Sequence, residues 1–563
     1  MNCTICISGA AGAGIQTVEK LLTKILKNNS YNVYATSEVM SRVRGGNNST
    51  EIRVGEKRVR GYKHMVDIFV PINKDAIKRH LNRFAQGTII IGEKENMDYD
   101  FGDKKRYEIG FSEIAEDIGN KLYTNTVAVG TLCGIFDVDK EKAADFVFDT
   151  FKEKGEKVAQ DNKQAFLKGY AESEKIDYQK LPKSSSNLDK DLLIKGSDAL
   201  ALGGIKAGVN FVSSYPMSPS TTVLIAFAQR ANKFGIVVEQ AEDEIAAINM
   251  ACGASYAGAS PFITTSGGGL ALMGEGVSLA GMTETPVVLH IAQRPGPATG
   301  LPTRTEQGDL NLALYSGHGD FPRAIFAPAT IESAFEISGI CVQTAQEYQT
   351  PVFILTDQYF VDSYYNVSQL QMADEKEMDK RFSKTTENYK RYKLTDSGIS
   401  PRGIPGYGEG VVKVDSDEHD EQGHITESFE VRRKMVHKRL KKLMGMKEKA
   451  RKPLKHNSKN GKLLIVGWGS TYYTIKEAIE GLNTPDISQL HFEQVYPLPQ
   501  KIEEEFENYE QIVFVENNLT GQFSQLVEKE TGIGGFKKIL KYDGIQFSVE
   551  ELQKEINLIM EEA

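Results

Sequence analysis

The chain has 563 residues, of which 40% are hydrophobic and 25% charged, a composition typical of globular proteins. At about 100–200 residues per domain, this length predicts three or four domains. The formal net charge of −9 and the isoelectric point near 5.7 argue against a general nucleic-acid binder, which would present basic surface to phosphate.

Strand-like and helix-like segments alternate along most of the chain, which predicts an α/β protein with three α/β domains. Residues 1–180 form the first predicted domain, and the polar residues 181–190 form a linker. Residues 191–371 form a second domain, in which strand-like runs alternate with helices rich in alanine and glycine. Residues 372–458 are an irregular excursion that ends in a basic helix, and residues 459–563 form a third, smaller domain.

The five cysteines predict neither a disulfide framework nor an iron–sulfur cluster on this chain. Cys3 and Cys6 form a C-x-x-C motif inside an alternating strand, so their side chains should point to opposite faces. The other three cysteines are isolated, and a cubane cluster needs four thiolates. Neither a run of about 18 apolar residues nor a basic, apolar leader occurs, so we expect a cytoplasmic protein without a membrane span.

Gly9, Gly12 and Gly14 lie between the first predicted strand and the first predicted helix. Such a turn can approach a pyrophosphate at a helix N-terminus, as in a nucleotide-binding dehydrogenase. The spacing G-x-x-G-x-G differs from the dinucleotide fingerprint G-x-G-x-x-G, and a tight strand-to-helix turn explains the same glycines. Both interpretations stay open at this point.

A second loop contains Arg42, Arg44, Gly45 and Gly46, which are suited to hold phosphate groups or an acidic partner. A solvated turn is the alternative. Together, the segments SGAAGAGIQT and SEVMSRVRGGNN resemble the gamma-type domain of 2-oxoacid:acceptor oxidoreductases. The resemblance implies that this loop contacts either the phosphates of coenzyme A or a partner protein.

Tyr215, Pro216 and Ser218 belong to the segment SYPMSPST, which resembles the Y-P-I-T-P-S-T motif of the alpha-type domain in the same family. Two prolines fix the loop that follows a predicted strand. The resemblance implies that Tyr215 and Ser218 contact the 2-oxoacid and that Pro216 contacts the cofactor. Ser218 stands where the family has threonine, so it keeps the hydroxyl and loses the methyl. Alternatively, Ser220 or Thr221 caps a helix here.

A predicted strand runs into the acidic segment EQAEDEIAA, which is followed by a helix of small residues. Three acids in a first helical turn suit the helix dipole, which alone would explain them. The resemblance to thiamine-diphosphate enzymes implies more, namely that a glutamate here hydrogen-bonds N1′ of the aminopyrimidine and acts in proton transfer. The match places this catalytic and cofactor-binding role on Glu244, with Glu242 as the alternative.

Two further segments resemble the alpha-type domain. In TTSGGG, the resemblance implies that Thr265 and Ser266 lie beside the cofactor, whereas a flexible turn is the alternative. The segment RPGPATGLPTRTEQGDL resembles G-P-S-T-G-L-P-T-R-x-x-Q-x-D-L, and the matching arginine is Arg304. Because arginine binds a carboxylate in bidentate fashion, the resemblance implies that Arg304 holds the carboxylate of the substrate.

The last third of the chain adds three features. The segments YPLP and VENNLTGQ resemble the family's C-terminal domain, which implies a role in assembling the complex. The acidic run DEHDEQGH contains carboxylate and imidazole ligands, but contiguous residues rarely all point inward, so a solvated loop is favoured. We interpret the basic helix at residues 428–450 as a surface that faces a partner protein.

The resemblance covers almost the whole chain in the family's order and implies the alpha subunit of a 2-oxoacid:ferredoxin oxidoreductase. The implied reaction is the oxidative decarboxylation of a 2-oxoacid with coenzyme A, giving acyl-CoA, carbon dioxide and reduced ferredoxin. Its cofactor is thiamine diphosphate. We favour 2-oxoglutarate because the fused gamma–alpha layout resembles the 2-oxoglutarate enzymes, with pyruvate and branched-chain 2-oxoacids as alternatives.

The G-D-G…N motif for Mg²⁺ and the cysteines for a [4Fe-4S] cluster are missing from the sequence. The resemblance therefore implies a beta subunit that carries both, in an alpha–beta or (alpha–beta)₂ complex, with ferredoxin as electron acceptor and without nucleic acid or membrane as partners. Two other functions remain open, a nucleotide-binding dehydrogenase and a scaffold that assembles a complex without catalysing a reaction.

Overall fold

The computed structural model of the chain describes residues 1–40, 46–371, 382–457 and 461–562. The contacts between residues divide the chain into two compact units, each built from segments that are distant in sequence. The first unit consists of Met1–Ile194, Asp362–Gln369 and Ser548–Glu550, and the second of Lys195–Val361, Leu370–Phe547 and Glu551–Ala563. Among the described residues, we find no helix that combines the length and the apolar character needed to cross a bilayer.

The strands of the described residues, in chain order, are β1 (Asn2–Ala10), β2 (Asn32–Glu38), β3 (Asn47–Gly55), β4 (Val66–Pro71), β5 (Phe84–Gly92), β6 (Arg106–Glu108), β7 (Leu192–Lys195), β8 (Phe211–Ser214), β9 (Val237–Gln240), β10 (Pro261–Thr265), β11 (Val287–Gln293), β12 (Ala324–Phe326), β13 (Pro351–Asp357), β14 (Tyr364–Val367), β15 (Leu454–His456), β16 (Leu463–Trp468), β17 (Ile487–Phe492), β18 (Gln494–Tyr496), β19 (Gln511–Glu516) and β20 (Lys537–Leu540).

The α-helices of the same residues are α1 (Ile15–Asn28), α2 (Asp75–His80), α3 (Phe111–Ile118), α4 (Thr124–Ile135), α5 (Lys140–Phe151), α6 (Glu156–Glu172), α7 (Gly196–Lys206), α8 (Thr221–Ala228), α9 (Ala231–Phe234), α10 (Glu244–Tyr256), α11 (Gly267–Leu272), α12 (Gly274–Met282), α13 (Leu310–Tyr315), α14 (Ile331–Tyr348), α15 (Gln358–Asp362), α16 (Phe429–Glu448), α17 (Tyr472–Leu482), α18 (Gln522–Thr531) and α19 (Val549–Glu561).

The first unit contains an eight-stranded sheet with the order β6-β5-β4-β1-β3-β2-β14-β7. β1, β4, β5 and β6 are parallel, and β3 inserts antiparallel between β1 and β2. Cys3 and Cys6 are both fully buried, and they pack into different apolar clusters. Their side chains therefore point to opposite faces of β1, as the alternation of the strand predicts. Both thiols are free, and burial raises their pKa well above the ordinary value.

The second unit contains two sheets. The larger has the order β18-β12-β13-β11-β10-β8-β9 and is parallel except for β18 at one edge. The smaller has the order β15-β17-β16-β19-β20, with β15 antiparallel at its edge. One apolar core joins them, since Leu289 and Ile291 of β11 belong to the same buried cluster as Trp468 and Phe523. The predicted α/β class is therefore confirmed, with a mixed sheet in the first unit and mainly parallel sheets in the second.

Parallel strands place their carboxyl ends at one edge of a sheet, where loops meet. In the second unit, β8, β10 and β11 are neighbours in register, with Phe211 opposite Pro261 and Phe262 opposite Val288. The loops that follow these strands therefore lie side by side. They contain the predicted segments around Ser218, Thr265 and Arg304.

The interpretation of the basic helix as a partner-facing surface is wrong for one face of α16. Lys438 and Lys442, one helical turn apart, are buried, and both bind the carboxylate of Glu284, with Nζ–O distances of 2.6 Å and 2.5 Å. Burial alone would raise the pKa of Glu284, but the charges of Lys442 and Lys438 outweigh it and hold the pKa well below its ordinary value. Glu284, which is distant in sequence, thus supplies the counter-charge that stabilises these lysines in the interior.

The interpretation of the acidic run as a solvated loop is also wrong for two of its residues. The Glu418 carboxylate lies within 3.0 Å of the guanidinium of Arg439, and Arg432 binds it as well. His419 is fully buried, with its ring 3.9 Å from that of Tyr392. In the part of the chain that the structure describes, no group of three His, Cys, Asp or Glu side chains is arranged to hold a metal ion.

Candidate functional site

Glu244 is the first residue of α10, and it points inward while its acidic neighbours point outward. The side chain of Asp243 caps the helix by accepting a hydrogen bond from Ala246 N at 2.7 Å. Glu244 is 2% exposed, whereas Glu242 and Asp243 are exposed. The capping residue thus fixes the register of the acidic segment, and only Glu244 enters the protein.

The Glu244 carboxylate has an oxygen without a partner. Its Oε1 is fully buried and forms no hydrogen bond with any described residue, and the same holds for Oγ1 of Thr265. A buried polar atom that lacks a partner costs about 1–3 kcal/mol, more if it is charged. Proteins retain this cost where a ligand supplies the missing hydrogen bond, so these two atoms mark a candidate binding site.

The two unpartnered atoms meet at Gly269. A Cβ added to Gly269 would lie 2.8 Å from Oε1 of Glu244 and in contact with Oγ1 of Thr265. No side chain fits at this position. The glycine thus lets the backbone pack directly against both side chains, and we refer to Gly267–Gly269 as the glycine turn.

Residues of the loop after β8 lie beside the same turn. Ser266 is fully buried, and its Oγ lies against Sδ of Met217. Ser218 and Tyr215 are exposed, and the carbonyl of Ser218 accepts a hydrogen bond from Nη1 of Arg294 at 2.5 Å. The loop therefore presents both side chains to the exterior while its backbone is held.

The structure does not show the helix cap that the sequence predicted as the alternative role of Ser220. Ser220 occupies the position before α8, but its hydroxyl makes no capping hydrogen bond and instead donates to the Met217 carbonyl at 2.6 Å. The hydroxyl therefore closes the turn of the loop on itself. This restrains Met217 beside the glycine turn.

A buried polar row supports the glycine turn from the sheet below. His290 of β11 lies between Oγ1 of Thr264 at 2.8 Å and Oγ1 of Thr356 at 2.7 Å. Burial lowers the pKa of His290 to about 3, so the imidazole is neutral. Its two nitrogens are both used in this row, which crosslinks three parallel strands directly beneath the loops.

Arg304 lies on the loop between β11 and α13 and is partly buried. Burial lowers its pKa from the ordinary value of 12.5. The loop is held at both sides of the arginine, since Thr305 N donates to the Gly544 carbonyl at 3.1 Å and Gln307 N donates to the Asn517 carbonyl at 2.7 Å. The backbone next to Arg304 is thus held by the turns that follow β19 and β20 in the second unit.

Asp309 is a residue of this site that the sequence predictions omitted. Its Oδ2 is buried without a partner, and a Cβ at Gly267 would lie 2.5 Å from that oxygen. Burial, and then the charge of Glu306, raise the pKa of Asp309 to about 7, against the opposing effect of Arg294. The signal was present in the sequence, since Asp309 is the aspartate of the matched Q-x-D-L segment.

A cavity of about 720 Å³ opens on the outer face of α10 and α12. It is lined by Ile245, Asn249, Leu272 and His318 among others, and by none of the residues that the sequence predicted for the site. Ile245 and Asn249 lie on an exposed face of α10, away from the inward direction of Glu244. This cavity thus lies next to the helix of the candidate site but not on the side that Glu244 faces.

The glycine-rich turn of the first unit contacts Gly46, the described residue of the second predicted loop. Gly12 and Gly14 have φ of 87° and 75°, a conformation that glycine adopts readily, and the turn leads into α1. Ala11 N donates to the Gly46 carbonyl at 2.9 Å, which joins the glycine-rich turn to the end of the second loop. Arg42, Arg44 and Gly45 lie outside the described residues.

Two family models match the chain. The model described as pyruvate flavodoxin/ferredoxin oxidoreductase, thiamine-diphosphate-binding, matches residues 203–438, and the one described as pyruvate ferredoxin/flavodoxin oxidoreductase matches residues 4–172. The first match includes the loops around the glycine turn, and the second includes the glycine-rich turn of the first unit.

Similar proteins are known over the full length. The chain is 30% identical to the 2-oxoacid:ferredoxin oxidoreductase subunit alpha of a Sulfolobus species, across 97% of this chain and 95% of that protein. It is 31% identical to the 2-oxoglutarate synthase subunit KorA of Archaeoglobus fulgidus, across 60% of this chain and 90% of that protein.

A solved structure matches the whole fold. The 2-oxoglutarate:ferredoxin oxidoreductase from Magnetococcus marinus, with 2-oxoglutarate, coenzyme A and succinyl-CoA bound, has a TM-score of 0.92 and 28% sequence identity to this chain. The match covers 99% of both chains.

Proposed function

Because the chain belongs to the family of 2-oxoacid:ferredoxin oxidoreductase alpha subunits, we propose that it catalyses the CoA-dependent oxidative decarboxylation of 2-oxoglutarate as part of a multi-subunit enzyme. The products are succinyl-CoA, carbon dioxide and reduced ferredoxin. The bound molecules of the Magnetococcus marinus enzyme support this choice of substrate. The observation on this chain that best supports the proposal is Oε1 of Glu244, a buried carboxylate oxygen that has no hydrogen-bond partner among the described residues.

The residues around the glycine turn fit thiamine diphosphate. A buried carboxylate oxygen without a partner suits the N1′ nitrogen of an aminopyrimidine. When bound, the cofactor supplies a nucleophilic carbon and an electron sink for decarboxylation. We propose that Glu244 shares a proton with N1′, and that Pro216, Thr265 and Ser266 contact the ring. The hydroxyl of Thr265 has no partner among the described residues, so it is available for a hydrogen bond to the cofactor.

We propose that Arg304 binds the carboxylate of the 2-oxoacid, with Tyr215 and Ser218 beside it. A guanidinium forms paired hydrogen bonds with a carboxylate, which fixes the orientation of the substrate. The exposed positions of Tyr215 and Ser218 support a role in contacting a substrate that enters from outside. Pyruvate and branched-chain 2-oxoacids are the alternative substrates.

We propose that a beta subunit carries Mg²⁺ and the [4Fe-4S] cluster, in an alpha–beta or (alpha–beta)₂ complex that reduces ferredoxin. The lack of a G-D-G…N motif and of four clustered cysteines in the sequence supports this division. The loop with Arg42, Arg44, Gly45 and Gly46 is our candidate for the phosphates of coenzyme A or for a partner. A cytoplasmic location agrees with five cysteines that are all free.

The experiment that tests this function is steady-state turnover of the complex purified with its beta subunit. We expect the highest kcat/KM with 2-oxoglutarate and no turnover by the alpha chain alone. A higher kcat/KM with pyruvate would overturn the choice of substrate, and activity of the isolated chain would overturn the divided site. Tight binding of a nicotinamide nucleotide, measured by fluorescence titration, would favour the dehydrogenase instead.

A further inference from the structure

The loop that contains Arg304 is paired with the turn that follows β19. Gln307 is 1% exposed, and its side chain spans the joint. Its Oε1 accepts a hydrogen bond from Asn517 N at 3.0 Å, and its Nε2 donates to the Trp468 carbonyl at 2.9 Å. Its backbone N–H donates in turn to the Asn517 carbonyl. Both ends of Gln307 are therefore fixed on the smaller sheet.

Two further side chains of the turn after β19 hold the same loop. Nε2 of Gln522 donates to the Gly308 carbonyl at 2.7 Å, and Oε1 of Gln522 accepts from Asn311 N at 2.9 Å. Nδ2 of Asn518 donates to the Gln307 carbonyl at 3.3 Å. The end of the loop and the start of α13 thus receive hydrogen bonds from the turn after β19 and from the first residue of α18.

Asn517 also holds the other surface on which Arg304 rests. Its Nδ2 donates to the carbonyls of Lys541 at 2.9 Å and Ile545 at 3.3 Å, which closes the turn that contains Gly544. A Cβ on Gly544 would lie 3.3 Å from Cβ of Arg304, so the stem of the arginine packs on that glycine. Asn517 therefore supports Arg304 from two directions.

The turn after β19 is itself rigid. The carboxylate of Glu516 is fully buried and accepts hydrogen bonds from the backbone N–H groups of Phe523 and Ser524, both at 2.8 Å. Nδ2 of Asn518 donates to it at 3.0 Å. Asn518 belongs to the turn and the two backbone groups to the start of α18, so Glu516 ties the turn to that helix.

We propose that Asn517, Gln307 and Gln522 are positioning residues that set the affinity of the enzyme for its 2-oxoacid by holding Arg304 in place. The inference rests on the proposed function, in which Arg304 binds the substrate carboxylate. Bidentate binding requires that the guanidinium be placed to within a fraction of an ångström. The C-terminal part of the chain therefore acts in substrate binding, in addition to the role in assembly that its sequence implies.

The test compares two glutamines of α18 in the complex with the beta subunit. Gln522→Ala removes both hydrogen bonds to the loop, whereas Gln525→Ala removes a bond to the Thr520 carbonyl, within its own turn. Loosening the loop should raise KM for 2-oxoglutarate about tenfold in Gln522→Ala and leave kcat nearly unchanged. Gln525→Ala should keep both constants, and KM for coenzyme A should not move in either variant.

Asn517→Ala is the second variant, and we expect a larger rise in KM because it releases the turn around Gly544 as well. If it fails to fold, Gln522→Ala decides, since Gln522 is only partly buried. Equal KM values in Gln522→Ala and Gln525→Ala would overturn the inference. A wild-type complex that turns over no 2-oxoacid would instead overturn the proposed function, so the two failures are distinct.

Discussion

The second unit contains two buried glutamates, Glu284 and Glu244, whose carboxylates have opposite surroundings. Glu284 is 1% exposed and Glu244 is 2% exposed. Glu284 has two lysines bound to its carboxylate, whereas Glu244 has an oxygen with no partner. The first arrangement holds α16 against the core. The second leaves an oxygen that a ligand can bind, so the comparison separates a structural carboxylate from the candidate functional one.

The largest expected effect concerns the activity of Glu244→Gln. Loss of the carboxylate should lower kcat by about 10²–10⁴-fold, as for other groups that act in proton transfer. The thermal midpoint should stay the same or rise, because a neutral amide replaces a buried carboxyl group that has an oxygen without a partner. Steady-state turnover of the complex measures the change in kcat, and thermal unfolding of the complex measures the change in its midpoint. Glu242→Gln, two residues away and exposed, is the control and should retain activity, and full activity of both variants would favour the assembly scaffold.

Glu284→Gln should show the opposite pattern. Two buried lysines lose their counter-charge, which should cost about 3–5 kcal/mol in the free energy of unfolding. Denaturant unfolding measures this loss of free energy. The turnover number of the folded enzyme should stay the same as in the wild type. Glu347→Gln breaks an exposed pair with Lys449 and should cost no more than about 1 kcal/mol. Similar losses in the two variants would show that the buried pairs do not hold α16.

A substitution in the glycine turn tests whether the surroundings of Glu244 matter for activity. Gly269→Ala would place a methyl against Glu244 and Thr265, and we expect kcat to fall about 10–100-fold through displaced groups. Gly268→Ala is the control, because its Cβ would meet nothing closer than 4.0 Å. Steady-state kinetics of the two variants measure the difference. Equal rates would mean that Gly269 is not needed for the site.

The smallest effect concerns Asp309, whose pKa is raised to about 7 by burial and then by Glu306. The unfolded chain loses this proton near pH 3.8, so the folded state loses stability as the pH rises from there through 7. The thermal midpoint of Asp309→Asn should therefore exceed that of the wild type by more at pH 8 than at pH 5.5. Asp320→Asn, at an exposed position, is the control and should show no such trend.

Much of the fold could be predicted because its strands are short, buried apolar runs that end at glycine or proline. β10 and β16 are examples, with every residue buried. β3 shows no strand pattern in the sequence, because NNSTEIRVG is polar at the start. It forms a strand between β1 and β2, which supply partners on both sides. Such pairing depends on tertiary structure and leaves no local pattern.

The candidate site was predicted where a motif lies within one segment, as for the loops around Ser218 and Thr265. The choice between Glu242 and Glu244 needed the helix cap, because the side chain of Asp243 sets which acid turns inward. The contact between Gln307 and Asn517 joins residues 210 positions apart, and no local pattern of the sequence indicates it. The buried face of α16 was mistaken for surface for the same reason, since its counter-charge is distant in sequence.

The account depends most on the claim that the free oxygen of Glu244 is reserved for a bound cofactor. The direct measurement is the affinity of the complex for thiamine diphosphate, by calorimetric titration in the presence of Mg²⁺. Glu244→Ala should weaken binding about 10–100-fold, the loss of one hydrogen bond to a charged group, while Glu242→Ala should bind as the wild type does. Identical affinities in all three proteins would contradict the account.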